Sequence, residues 1–134
     1  MIGGKQFAKG VGKEPVFGAM SWGPNAASDP VISGASSTLA GSLAAWVSSI
    51  TYSATGVHTI VFKEGFTFGS TPVFNAAPQP ASLTEYFHAD VVGAYSQTTR
   101  TLVVTTHRAG TGRQVPADAN ARITLNVIAQ DTGS

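Results

Sequence analysis

The feature that most constrains the fold is an alternation of apolar and polar side chains near the C-terminus. Within residues 121–130, Ile123, Leu125 and Val127 are separated by polar residues. A spacing of two places these three side chains on one face of a β-strand, whereas an α-helix would distribute them around its surface. The segment is therefore predicted to form a central strand with one buried face.

Similar short apolar runs, bounded by turn-forming residues, recur along the chain at spacings of about ten residues. Valine occurs 13 times and leucine 5 times, and this bias towards β-branched side chains favours strands. The other predicted strands include residues 15–22, 57–66, 71–78, 86–96 and 101–108, and the last two are predicted to form an antiparallel hairpin. We predict an all-β fold, a single-domain β-sandwich or jelly roll of about eight strands.

Residues 38–56 are the ambiguous part of this pattern. Leu39, Leu43, Trp46 and Ile50 recur at helical spacing. The Ser and Thr content of the segment and its lack of helix-capping residues favour a strand instead. Strand and helix both stay open for this stretch.

The first 13 residues differ in composition from the rest. They contain four glycines and three lysines, Lys5, Lys9 and Lys13, with no acidic residue. The segment has few large apolar side chains, and burial of these would not offset the conformational entropy lost on ordering. Residues 1–14 are therefore predicted to be a flexible arm that orders on a partner. Residues 15–134 are predicted to form the β-sandwich domain, since 134 residues suit one domain.

Surface chemistry narrows the class of function. Only 11% of residues are charged, well below the roughly 25% typical of soluble domains, and 13 serines and 15 threonines supply polar surface instead. Short hydroxyl side chains are easily buried against another protein, so this composition favours self-association and surface contact. The net charge of +1 argues against a nucleic-acid-binding face.

The absence of cysteine excludes a disulfide framework and a cysteine-based zinc site, and it is typical of a protein made in a reducing cytosol. No apolar run reaches the length of a membrane span, and the N-terminus lacks the apolar core of a signal peptide. We therefore expect neither a membrane protein nor a conventionally secreted one.

No catalytic motif emerges from the polar residues. The chain lacks a G-x-S-x-G nucleophile elbow, and His58, His88 and His107 fall in three separate strand regions without the spacing of a metal site. Asp90 is predicted to share a strand face with Tyr86 and His88, either as a polar cluster or as an exposed face. We expect a protein that is not an enzyme and needs no cofactor or metal; a catalytic site assembled between subunits is the least favoured alternative.

Two further features are candidate binding sites. Residues 110–113, G-T-G-R, match a phosphate-cradling loop only in part, because no strand-to-helix context follows. Arg113 and Asp118, in the same glycine-rich region, are expected to make loop contacts. Trp22 and Trp46 could stack on sugar rings, although tryptophan in a small sandwich more often lies in the core.

Four segments together resemble small β-sandwich proteins of tailed bacteriophage virions. They are VHTIVF, TPVF, FHADVVG and RITLNVIA, at residues 57–62, 71–74, 87–93 and 122–129, and the similar texture extends over residues 40–130. Members of this class serve as trimeric capsid decoration (cement) proteins or as receptor-binding tips of tail fibres. The resemblance carries no catalytic residues over to this chain.

The resemblance implies a virion structural protein, located on the capsid surface and made in the host cytoplasm. A short chain with a basic arm favours a homotrimeric decoration protein that binds the major capsid protein and stabilises the assembled head, without nucleic acid or membrane. In the arm, Lys5, Lys9 and Lys13 would favour an acidic shell surface, while Phe7 and Val11 supply apolar anchors. The alternative is a carbohydrate-binding tail-fibre or tail-tip protein, which predicts exposed aromatic side chains on loops at one end.

Overall fold

The computed structural model describes residues 15–23, 39–116 and 120–130. Within these ranges, eight strands form two antiparallel sheets that enclose one hydrophobic core. The strands are β1 (Pro15–Trp22), β2 (Val47–Ala54), β3 (Val57–Phe62), β4 (Val73–Gln79), β5 (His88–Ser96), β6 (Thr101–Arg108), β7 (Gly112–Arg113) and β8 (Arg122–Gln130). The predicted all-β sandwich is confirmed. No helix in the described ranges is long and apolar enough to span a membrane.

The three-stranded sheet has β8 at its centre, with β1 on one side and β4 on the other. Ile123, Leu125 and Val127 of β8 are fully buried, whereas Asn126 on the opposite face is exposed. The alternation in the sequence thus reports burial directly, and the predicted central strand with one buried face is confirmed.

The five-stranded sheet is built largely from two hairpins, β2–β3 and β5–β6, which join through the pairing of β3 with β6. The second of these confirms the predicted hairpin. β5 begins at His88, so Tyr86 lies outside the sheet rather than in the strand predicted for residues 86–96. β7 pairs with the end of β6, so the glycine-rich loop predicted around residues 110–113 is in part a short strand.

The ambiguous segment at residues 38–56 contains both kinds of structure. A 3-10 helix spans Ser42–Trp46, and β2 follows it directly at Val47. Leu43 is buried from the helix, and Val47 and Ile50 are buried from the strand. The helical spacing of the apolar residues therefore arises from two elements that each direct side chains into the same core.

Close backbone contact requires a glycine at position 56, in the turn between β2 and β3. Gly56 has a φ of 68°, and its carbonyl oxygen accepts a hydrogen bond of 2.8 Å from the Thr106 amide. A Cβ placed on Gly56 would lie 2.5 Å from the Thr106 carbonyl oxygen and 2.9 Å from the Gln114 amide nitrogen. Both neighbours are backbone atoms, so no side-chain rotation can make room.

An aromatic cluster joins the two sheets near the end of β3. The Phe62 ring stacks on Phe66 with centroids 4.4 Å apart, and its centroid lies 5.8 Å from those of Phe74 and Tyr95. Phe74 belongs to the three-stranded sheet, so the cluster spans the core. The Tyr95 hydroxyl donates a hydrogen bond of 2.7 Å to the Phe66 carbonyl oxygen. Burial raises the pKa of Tyr95 to about 12, which keeps this donor protonated.

His58 is a buried titratable residue at the other end of β3. Its side chain points into the core, and the residue is only 2% exposed. The ring makes edge contacts with Trp22 and Tyr52, at centroid distances of 6.3 and 5.3 Å. Its Nδ1 atom has no hydrogen-bond partner among the described residues. Burial lowers the pKa of His58 from 6.5 to about 4, so the imidazole is neutral near pH 7.

Acidification from pH 7 to pH 5 is expected to lower the free energy of unfolding by about 2 kcal/mol through His58 alone. In the unfolded chain this histidine takes up a proton below pH 6.5, whereas in the folded chain it stays neutral down to about pH 4. The His58 contribution is therefore complete above pH 6.5 and is lost progressively as the pH falls towards 4. Urea unfolding at the two pH values measures the effect. In His58→Leu, which has no imidazole, the pH dependence should be weaker by the same amount; an unchanged pH dependence would contradict this role.

Candidate functional site

The structure describes one of the seven residues predicted to make contacts. Arg113 is exposed in β7, where its backbone pairs with that of His107 on β6. Six of the predicted contact residues lie outside the described ranges: Lys5, Phe7, Lys9, Val11, Lys13 and Asp118.

The outward surface of the five-stranded sheet consists largely of β-branched side chains. We term it the valine–threonine face, formed by Thr51, Val57, Thr59, Val61, Val92, Thr101 and Val103. The register places Thr51, Thr59, Val103 and Val92 in one row across four strands. None of these seven residues is charged, and Val92 is 45% exposed. Depletion of charge at the centre of a surface is the composition that distinguishes protein interfaces.

A polar cluster borders one end of this face. His88 and His107 lie opposite each other on β5 and β6, and their rings stack with centroids 5.2 Å apart. His107 Nε2 lies 3.8 Å from Asp90 Oδ2. Arg113 on β7 is the register partner of His107 on β6. The predicted placement of His88 and Asp90 on one strand face is therefore seen, whereas Tyr86 does not join them.

The polar cluster is open to solvent. Its members lie on an open sheet surface, and the side chains of His107 and Asp90 are 37% and 61% exposed. Water competes for such exposed groups, so the contact between His107 and Asp90 contributes little energy. Among the described residues, no group of three or more His, Asp or Glu side chains is placed to hold a metal ion. The cluster matches the charged rim of an interface.

The opposite surface of the sandwich carries a smaller apolar feature. Phe17, Ile128 and Val73 stand side by side across β1, β8 and β4, and all three are exposed. The next outward position towards the centre of the sheet is held by Ala19, Asn126 and Asn75 in the same register order. This apolar row is therefore short, and small or polar residues replace it within two positions.

The loop between β4 and β5, residues 80–87, projects from one end of the sandwich. Leu83 is 97% exposed and Tyr86 is 75% exposed. Between this loop and the turn after β6 lies an open groove of about 580 Å³. We term it the loop groove, lined by Ser82, Thr84, Glu85, Tyr86, Arg108, Ala109 and Thr111.

The loop groove is the feature that the sequence analysis missed. The alternation in residues 86–96 predicts that Tyr86 belongs to a strand, but Pro78, Pro80 and Ser82 shortly before it are turn-forming residues that indicate a loop. The tryptophans are not the exposed aromatic residues, because Trp22 is fully buried and Trp46 packs against Phe66 with centroids 5.5 Å apart.

Comparison of the chain with family models, curated proteins and solved structures finds no match. Function is therefore inferred from three surfaces: the valine–threonine face with its polar cluster, the apolar row, and the loop groove. The first spans four strands, the second borders an open groove of about 580 Å³, and the third is itself an open groove of the same volume.

Proposed function

We propose that the chain is a virion structural protein, a homotrimeric decoration (cement) protein that binds the major capsid protein and stabilises the assembled phage head. It works by surface contact on the capsid exterior, after synthesis in the host cytoplasm, and it uses no catalytic residue, cofactor, nucleic acid or membrane. The observation that carries the proposal is the valine–threonine face.

This face favours association with further copies of the chain. Its centre presents methyl and hydroxyl groups, which lose little hydration energy and little side-chain entropy when another protein covers them. Its charged border contains groups of both signs, Asp90 and Arg113, so a second copy can neutralise either one. The proposal assigns this face to the contacts between trimer subunits.

Capsid attachment is assigned to residues 1–13, which contain Lys5, Lys9 and Lys13 with the apolar Phe7 and Val11. A trimer presents three such segments, so individually weak contacts act together. Binding to the assembled shell and not to its free subunits stabilises the shell by mass action.

The first experiment measures the amount of this protein in purified particles of its source virus by gel densitometry against the major shell protein. A nearly equimolar ratio supports a decoration protein. A small fraction supports the second candidate, a receptor-binding tail tip, which the exposed Leu83 and Tyr86 of the projecting loop favour. Absence from the particles contradicts both.

Charge placed in the valine–threonine face is expected to dissociate the trimer. In Val92→Lys the ammonium would be buried between subunits without a partner, which costs several times the thermal energy. Light scattering should therefore report a folded monomer. Val73→Lys, at an exposed valine on the other sheet, is the matched control and should remain trimeric. If the Val92→Lys protein were still a trimer, the valine–threonine face would not form the contacts between subunits.

Deletion of residues 1–13 should leave the trimer intact and weaken its binding to the particles.

A further inference from the structure

The loop groove is lined by an arginine, Arg108, whose Nε atom has no hydrogen-bond partner within the described part of the chain. Arg108 is the last residue of β6 and lies on the strand face that also carries Val104 and Thr106 towards the core. Its Nε atom is buried and makes no hydrogen bond, and no ion pair reaches its guanidinium among the described residues. The buried Nε atom is out of reach of a ligand, but Arg108 lines the groove, and the terminal N–H groups of an arginine can bind both oxygens of a carboxylate.

Hydroxyl groups surround this arginine. Ser82, Thr84 and Thr111 all line the groove, and the Thr111 hydroxyl donates to the Arg108 carbonyl oxygen at 3.3 Å. Glu85 lies in the same wall, where its Oε1 accepts a hydrogen bond of 3.2 Å from the Ala81 amide. The groove therefore offers several hydroxyl donors and acceptors together with one cation, Arg108, and one carboxylate, Glu85.

Tyr86 gives the groove a flat apolar surface. Its ring is 75% exposed, which leaves an aromatic face open for a ligand. Tyr86, Ser82 and Glu85 also line a second open groove of about 470 Å³ along the other side of the loop. The two grooves share these side chains, so a ligand longer than one ring can contact both.

We propose that the loop groove binds an acidic saccharide, with a sugar carboxylate on the Arg108 guanidinium and a sugar ring against Tyr86. The hydroxyls of Ser82, Thr84 and Thr111 then pair with those of the saccharide. This binding activity goes beyond the proposed packing role and does not depend on it, because none of the residues that line the groove belongs to the valine–threonine face.

The lining favours a saccharide over a protein segment. Protein ligands usually bury an apolar or aromatic anchor in a fitted pocket. The loop groove has only Ala109 and the Tyr86 ring as apolar lining, while most of its other side chains are hydroxylic or charged. Arg108 in turn favours an acidic saccharide over a neutral one, because a carboxylate forms charge-assisted hydrogen bonds with a guanidinium that a neutral hydroxyl cannot match in strength.

The test is titration of the isotope-labelled full-length protein with a galacturonic acid trimer, monitored by amide NMR shifts. The matched neutral probe is the galactose trimer of the same linkage. We expect shifts concentrated in residues 82–86 and 108–111, with the acidic trimer binding about tenfold or more tightly. Equal binding of both trimers, shifts located elsewhere, or no shift at millimolar concentration would each overturn the proposal.

Three variants separate the two contacts. Arg108→Gln should lose most of the preference for the acidic trimer, about tenfold, whereas Tyr86→Ala should weaken both trimers. Lys63→Gln removes one positive charge at an exposed site outside the groove and should bind like the original protein. Thermal unfolding checks that each variant is folded. If Arg108→Gln does not fold, Tyr86→Ala carries the test, because its side chain is exposed; unchanged binding by Tyr86→Ala would contradict the site.

Discussion

Replacement of Phe62 by alanine is expected to lower the free energy of unfolding by about 3–5 kcal/mol, a large part of the stability of a small domain. Phe62 is fully buried and stacks on Phe66, and its ring also contacts Phe74 from the opposite sheet. The variant loses the transfer energy of a whole ring and leaves a cavity between two sheets whose backbones are held by hydrogen bonds. Urea unfolding monitored by circular dichroism measures the loss.

Tyr86→Ala is the matched control for Phe62→Ala. It removes an aromatic ring of similar size from a position that is 75% exposed, so it should change the free energy of unfolding by about 0.5 kcal/mol or less. If the two variants were equally stable, the aromatic cluster would not be the main contact between the sheets.

Gly56→Ala is expected to lower the free energy of unfolding by about 2–5 kcal/mol, from the sum of two effects. The positive φ of Gly56 costs an alanine about 1–2 kcal/mol. The new methyl group also collides with the backbone at Thr106 and Gln114, and such overpacking adds about 1–3 kcal/mol. The hydrogen bond from the Thr106 amide to the Gly56 carbonyl must shift as well.

Gly65→Ala isolates the first of these effects. Gly65 also has a positive φ, 94°, but no atom lies within 4 Å of the position that its Cβ would occupy. Its cost should therefore be the conformational part alone, about 1–2 kcal/mol. If Gly56→Ala and Gly65→Ala lowered the free energy of unfolding by similar amounts, the backbone around Gly56 would be able to move and accommodate the added methyl group at no cost.

The strands with one buried face were predictable from the sequence because their apolar and polar residues alternate, with the apolar ones facing the core. β8 and the β5–β6 hairpin follow from local patterns, and so does the placement of His88 and Asp90 on one face. The pairing of β1 with β8 was not predictable, since it joins residues that are about 100 positions apart in the chain and no local pattern encodes such a register.

Burial of individual polar residues was only partly predictable from the sequence. The alternation of residues 57–62 places His58 on one strand face with Ile60 and Phe62, yet the residue type alone favours neither core nor surface. The loop groove arises from two segments, residues 80–87 and 108–111, that only the sheet topology brings together. The unsatisfied Nε atom of Arg108 could not be predicted either, because in the sequence Arg108 is simply a polar residue at the end of a strand.

The arrangement of β1, β8 and β4 also determines when the chain can fold during synthesis. β1 and β4 both pair with β8, and the register of β1 runs from Pro15 opposite Gln130 to Trp22 opposite Ile123. On the ribosome, the two hairpins of the other sheet can therefore form while β1 and β4 still lack their shared neighbour. Until residue 130 has emerged, Met20, Trp22 and Phe74 have no completed sheet to hold them against the core. The nascent chain thus passes through a half-built stage with exposed apolar side chains, and chaperones that bind such segments should engage it then.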